Sequence, residues 1–340
     1  MKLQHTSRCK DRRPADHDMA LQFTLHCTEG ADIGAQCEAI TDYLKDRPGR
    51  YATVCRRAAT LCVSPERKVT FLLEAVHRAC ALNQRQWRIA FMMQCLEEAK
   101  PLFADEFTDD ERKNALLERW RDIALTVFHA AGHFHACAEV YQERANAASD
   151  NGAHADAFAN QFMAKVALCD SALEQGIPQT IQSAVLEVKS VAGRLILTLE
   201  DSPLNAYWRM RCFIHVLRAE WLGGFHNPNT VECFAELKKL RKQMPCNFVD
   251  ALKVLTAAYY TRQSFGEWAD ALSIAREVAL NPRAHPDWRA EAYLVLIFAM
   301  EKSGYSKKAI AYINDLLKLP ASGGHVARAI ADRHLRELTY

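Results

Sequence analysis

Turn-forming residues are scarce in this chain. Only 13 glycines and 11 prolines are spread over 340 residues, whereas a sheet-rich protein of this length needs many tight turns and draws on both. Few turns imply long elements. Charge of one sign is lacking too: 43 basic residues stand against 41 acidic ones, a net of +2. No global field therefore draws the chain to nucleic acid or to an anionic membrane. No apolar run approaches the roughly 20 residues that span a bilayer. The polar, basic start, Met1 to Asp18, has no apolar stretch behind it and argues against a secretory leader. Cys-x-x-Cys pairs are missing although there are 12 cysteines. These sit mostly inside apolar stretches such as Thr53-Val54-Cys55 and Met93-Gln94-Cys95, as small reduced core residues of a cytoplasmic, reducing compartment. Also absent are a Gly-rich phosphate loop, a His-Glu-x-x-His run and a Gly-x-Ser-x-Gly elbow. Nothing marks a catalytic centre or implies a cofactor, and the expectation is a protein that is not an enzyme.

What is present is amphipathic helix. With 49% hydrophobic and 25% charged residues the composition is that of an ordinary folded protein. From about residue 34 apolar residues recur at three- and four-residue spacings. The pattern predicts helices over 34–45, 49–63, 65–82, 84–99, 109–131, 135–149, 153–174, 178–199, 204–222, 229–244, 247–264, 267–280, 286–303, 306–319 and 323–338. Residues 1–20 are expected to be a disordered basic tail, and 21–340 a single helical domain. Some starts carry their own signals. Ser64-Pro65-Glu66 places proline where the first-turn amide is unpaired anyway, and Thr108-Asp109-Asp110-Glu111 places carboxylates at the positive end of a helix. Short connections make neighbouring helices antiparallel.

The helix pairs repeat. At an offset of 38, Gly266 aligns with Gly304, Ala271 with Ala309, Leu280 with Lys318 and Pro282 with Pro320. Gly132, Gly176 and Gly224 also follow long helices, giving glycine spacings of 44, 48, 42 and 38. In such a unit a glycine ends the first helix in a left-handed conformation, an aromatic after it packs into the groove, and a small residue lets the second helix approach. Phe134 and Cys137, Trp268 and Ala271, and Tyr305 and Ala309 take these places. The stretch from Ala290 through Tyr293, Ala299, Gly304, Tyr305 and Ala309 to Pro320 resembles one tetratricopeptide repeat. Asp250 to Pro282 resembles a second, with Tyr259 where a small residue is usual, and Leu117 to Asn146 a third. The resemblance implies an all-α fold, an α-solenoid of about seven antiparallel helix pairs closed by a capping helix over His325 to Leu338. That last helix carries Val326, Ile330, Leu335 and Leu338 on one side, and an incomplete cap would offer this side for a homodimer.

Three sequence clusters invite chemistry. His129, His133, His135 and Cys137 are zinc-ligand types, but Gly132 breaks the helix among them and Cys137 holds the small-residue place, so a structural turn is the expectation. Asp109 to Glu111 would need a second acid one turn on to hold magnesium; Lys113 and Asn114 stand there instead. Tyr207-Trp208-Arg209-Met210-Arg211 could stack on bases, a single stretch on a neutral chain. The basic run Lys238-Lys239-Leu240-Arg241-Lys242 lies beside Phe234 and Leu237 and suits a solvated helix face. The six tryptophans suit packing between helices.

The resemblance further implies a concave groove lined by the first helix of each pair, which receives an extended peptide or a partner helix. The residues expected to face it are Glu291, Leu294, Phe298 and Glu301 in the last repeat and Lys253, Thr256, Tyr260 and Gln263 in the one before. Arg119, Asp122, Thr126 and His129 would form the rim. The Lys, Arg and Asn clamp of the family's chaperone-tail receptors is not reproduced. The expected function is a scaffold or adaptor binding a protein or peptide segment with apolar anchors; the alternative is a regulatory sensor with a small peptide or signal molecule in a closed pocket.

Overall fold

A computed structural model describes residues 48–80, 86–104, 107, 109–199, 204–225, 230–240, 245–263, 268–320 and 323–339. Among them are fourteen α-helices, one short 3-10 segment and no strand. The helices are α1 Pro48–Leu61, α2 Pro65–Cys80, α3 Gln86–Ala99, α4 Asp110–Ala131, α5 Phe134–Asp150, α6 His154–Gln175, α7 Pro178–Thr198, α8 Asn205–Leu222, α9 Thr230–Leu240, α10 Cys246–Gln263, α11 Trp268–Leu280, α12 Pro286–Lys302, α13 Ser306–Leu317 and α14 His325–Thr339; the 3-10 segment is Lys100–Ala104. These ends agree within two residues with the periodicity wherever the flanking residues are described. The expected helix 34–45, the basic tail 1–20, Gly266 and the end of the basic run lie outside the described residues. No described helix is long and apolar enough to cross a membrane. Contacts gather into two units, one ending at Val127 and one beginning at Phe128, whereas the sequence alone suggests one body over 21–340.

In the first unit α1 packs on α2, and α2 on α3 and the 3-10 segment. Trp120 of α4 is buried and donates its indole N–H to Leu96 O at 3.1 Å, which satisfies the one polar atom of an otherwise apolar side chain. Asp109 caps α4: its Oδ1 accepts from Glu111 N at 2.9 Å and Arg112 N at 3.2 Å. The acidic run is therefore a helix start.

In the second unit α6, α8, α10, α12 and α14 pack each on the next, and α14 packs back on α6. These five helices form a closed circuit. α5, α7, α9, α11 and α13 lie against them, and one hydrophobic core runs from Phe134 to Ala331. α12 is buried without a break from Ala290 to Ile297, because a helix apolar on every side has no face to give to water. α14 does more than cover an end. Val326 and Ile330 are buried, and Leu335 and Leu338 pack against the core, so the side expected to offer a homodimer contact is covered within the chain.

Cations from one helix close the carbonyl ends of others. Arg262 of α10 donates to Trp221 O at 2.7 Å and Phe225 O at 3.1 Å, after α8. Lys302 of α12 donates to Thr261 O and Arg262 O at the end of α10, at 3.3 and 3.2 Å. Arg333 of α14 donates to Leu173 O at 2.9 Å and Glu174 O at 2.7 Å, at the end of α6. Each contact satisfies carbonyls that a helix leaves unpaired and places positive charge at its negative pole. Gly176, with φ +78, lies so close under Arg333 that a Cβ would come within 2.8 Å of Cζ. Gly132, with φ +74, is covered in the same way by His325, whose Cγ and Nδ1 would lie 2.9 Å from a Cβ there. His325 Nε2 donates to Ala130 O at 2.9 Å.

Gly132→Ala should therefore lose about 1–3 kcal/mol in chemical denaturation. Gly152 has φ +72 and nothing within 4 Å of the position a Cβ would take. Gly152→Ala carries only the backbone strain, about 1–2 kcal/mol, and the excess at Gly132 measures the seat of α14.

Candidate binding site

The predicted groove residues divide sharply. Glu291 and Leu294 are 1% and 0% exposed, so neither is available to a partner. Phe298 packs edge-on to Trp221 and His334, at 6.5 and 5.0 Å between centroids, and Glu301 lies 3.4 Å from His334 Nδ1 of α14. This stretch of the expected groove is filled by α14 and by α12's own neighbours. Lys253 faces α11, where its Nζ is 2.7 Å from Glu277. Thr256 and Tyr260 are half-buried, and the side chain of Gln263 lies outside the described residues. Arg119 is exposed and 3.3 Å from Glu74 of α2. Asp122 and Thr126 are exposed, with the Thr126 hydroxyl donating to Asp122 O at 3.1 Å. His129 is 3.7 Å from Asp287.

The centre of the circuit is polar. Arg218 of α8, Asp170 of α6 and Glu291 of α12 are all buried. Arg218 Nη1 pairs with Asp170 Oδ1, and its Nε donates to Glu291 Oε1 at 2.6 Å. Burial opposes the cation, but the two carboxylates outweigh it and raise the Arg218 pKa well above its ordinary value. Glu291 goes the other way. Burial pushes its carboxyl up to about 7 in spite of Arg218, and its Oε2 has no hydrogen-bond partner. Glu291 therefore gives up its proton only near neutrality. Beside them a recess of about 210 Å3 is lined by His129, Asp287, Gly324 and His325 among others. Burial would raise Asp287, but His129, His285, the Gly324 amide and Arg218 together hold it below the usual carboxylate range. No group of three or more His, Cys, Asp or Glu among the described residues could hold a metal ion.

A larger recess, about 440 Å3 counting the open solvent at its mouth, lies where α8, α9 and α10 meet. Leu217, Glu220 and Trp221 stand on one face of α8, and Leu255, Ala258, Tyr259 and Arg262 on one face of α10, by three- and four-residue spacing. Phe225, Thr230 and Phe234 complete the lining. Phe234 and Tyr259 are tilted together at 5.2 Å. Glu220 is 3% exposed and paired with Lys189 of α7 at 2.8 Å. Arg262 is committed to the carbonyls after α8, which fixes one wall. Four aromatic rings with a few placed polar groups are the chemistry of holding an apolar side chain or small molecule.

The other sequence clusters resolve into internal contacts. Arg211 lies over the rings of Tyr207 and Trp208 at 6.0 and 5.3 Å, and Arg209 pairs with Glu236 at 3.2 Å. Lys239 pairs with Glu236 at 2.6 Å while Phe234 and Leu237 are buried beneath. Tyr305, expected in a groove, is 56% exposed under Lys308. The eight described cysteines with stated burial are free thiols, and burial pushes Cys95, Cys137, Cys169 and Cys212 up to about 12. No protein-family model matches the chain, and no characterised protein matches its sequence.

Removing the cation while leaving both acids should cost about 3–5 kcal/mol in Arg218→Met, most of it recovered when Asp170→Leu and Glu291→Leu are added. Glu291's folded value exceeds its unfolded 4.5. The folded state thus holds the extra proton, and the contribution of this group declines as pH rises from about 4.5 to about 7. Melting temperatures of wild type and Glu291→Gln should accordingly diverge across that window, the variant lacking the decline.

Proposed function

We infer that this chain is a non-enzymatic interaction module, a scaffold or adaptor built as a tetratricopeptide-like α-solenoid of about seven antiparallel helix pairs. The handing of carbonyl ends from one helix to a cation on another, at Arg262 and Lys302, supports repetition of one unit. The aromatic cavity between α8, α9 and α10 carries the binding assignment, because it opens to solvent while α12 is buried. It receives an apolar anchor residue of a partner's helix or extended segment, as hydrophobic pockets at interfaces do. The binding surface thereby moves one position along α10 from the expected Tyr260 to Tyr259. Free buried thiols support a reducing compartment.

A second assignment, a regulatory sensor holding a small peptide or signal molecule, is favoured by the same recess, whose aromatic walls and few placed polar groups also suit a small ligand. Selection of displayed random peptides on the full chain separates the two. The module should enrich peptides sharing one large apolar residue, and Thr230→Trp at the cavity lining should weaken them about tenfold or more, worth 1.4 kcal/mol. Failure to enrich any peptide, together with thermal stabilisation by a small-molecule fraction, would favour the sensor.

A further inference from the structure

The recess under the start of α14 is short of positive charge. Asp170, Asp287 and Glu291 line it, and among its described lining residues Arg218 is the one permanent cation. Arg218 is engaged by Asp170 and Glu291, which leaves Asp287 to imidazoles. His129, at the end of α4, has Nε2 3.7 Å from Asp287 Oδ2, and His285, before α12, has Nδ1 3.5 Å from the same oxygen. The other oxygen, Oδ1, accepts from the Gly324 amide, so this carboxylate pins the turn that opens α14. His285 Nδ1 also accepts from Asp287 N at 3.4 Å, as the cap of α12. Once protonated, that nitrogen can only donate, and Asp287 Oδ2 is the acceptor beside it.

We propose that this recess is a proton-operated latch on the start of α14: protonated His129 and His285 hold Asp287 on the Gly324 amide, and loss of those protons loosens the turn. Imidazole is the side chain that changes charge between about pH 5 and 8. The titrating groups act in one direction. Protons on His129 and His285 offset the surplus of acid, and a proton on His325, whose Nε2 donates to Ala130 O, adds positive charge at the negative pole of α4. Glu291, which burial pushes up to about 7, becomes a further buried anion only above that. The latch is therefore closed below neutrality and weakens as pH rises. Asp287 stays ionised throughout, because its neighbours hold it below the usual carboxylate range. His215 of α8 lies outside the lining, against Phe162 at 6.0 Å; burial, Arg211, Arg218 and His129 keep its pKa well below the ordinary histidine value, so it does not charge with the others. His129 and His285 are 45% and 52% exposed, so water screens each pair and the latch works as their sum.

Amide hydrogen exchange of the full chain, read by NMR and corrected for the base catalysis of exchange itself, tests the latch at Gly324 and Arg328. Arg328 N donates to Gly324 O at 2.9 Å, so both amides report the first turn of α14. Relative to Val166 in α6, opening at Gly324 should rise about tenfold from about pH 6 to about pH 8, the equivalent of one pK unit. His129→Gln with His285→Gln should remove most of that dependence. His133→Gln with His135→Gln changes two exposed histidines of the neighbouring turn that lie outside the lining, and should keep it. His334 meets Glu301 and Glu337 about 15 Å farther along α14, and His334→Gln should also leave Gly324 as in the wild type. Opening at Gly324 that is alike at both pH values, an equal change at Val166, or a dependence that survives the His129→Gln and His285→Gln pair or follows His334 instead would overturn the proposal.

Discussion

Arg218 is a buried guanidinium that spans the circuit of the second unit, and the positions of three helices follow from what it requires. Removed from water, a guanidinium is tolerated only with anionic partners in good geometry. Asp170 on α6 and Glu291 on α12 supply them, so α6, α8 and α12 are tied through one side chain. The two acids share a single cation, and burial shifts the surplus onto Glu291, whose second oxygen has no hydrogen-bond partner. This arrangement contributes little net stability compared with an apolar core of the same volume. Its effect is on register, because a slip of α8 against either neighbour would leave a charge unpaired.

Around that centre the backbone poles are arranged to the same end. Three of the five circuit helices have their carbonyl ends closed by a cation from another member, and α14 contributes the one that joins the last helix to the first. Gly132 and Gly176 serve twice: they turn the chain in a left-handed conformation, and their missing side chains leave room for His325 and Arg333 to lie flat on the turn. With α12 buried on every side, binding shifts outward to the aromatic cavity beside α9. The inner face that the repeat pattern suggests as a groove is instead part of the core.

Most of the helices are legible from spacing alone, since a 3.6-residue period records which side of a helix is buried. The Asp109 cap and the free cysteines are legible for the same local reasons, whereas the internal contacts of Arg209 and Arg211 are not. The groove is not, because the repeat pattern gives α12 one face to solvent whereas its middle is buried all round. The run from Ala290 to Ala299, with Glu291 as its one acidic member, carries the signal of a helix buried all round. What that run lacks is the identity of its covering partner: His334, which meets Phe298 and Glu301, looks like a solvent residue of an end helix until the chain is folded. The cavity is hidden for a related reason. Trp221, Phe234 and Tyr259 stand on three different helices, and nothing in their order along the chain says that they converge.

The closed circuit requires α14 to be an integral member rather than a loosely attached end. Amide hydrogen exchange on the intact chain tests this most directly, since segments that open together exchange with a common free energy. Amides in the middle of α14, around Ile330, should be protected as strongly as those in the middle of α6, around Val166, and both should lose protection together in the Arg218→Met variant. Exchange of α14 at far lower protection than α6, with α6 unaffected by its opening, would contradict the closed circuit and return the inner face to solvent.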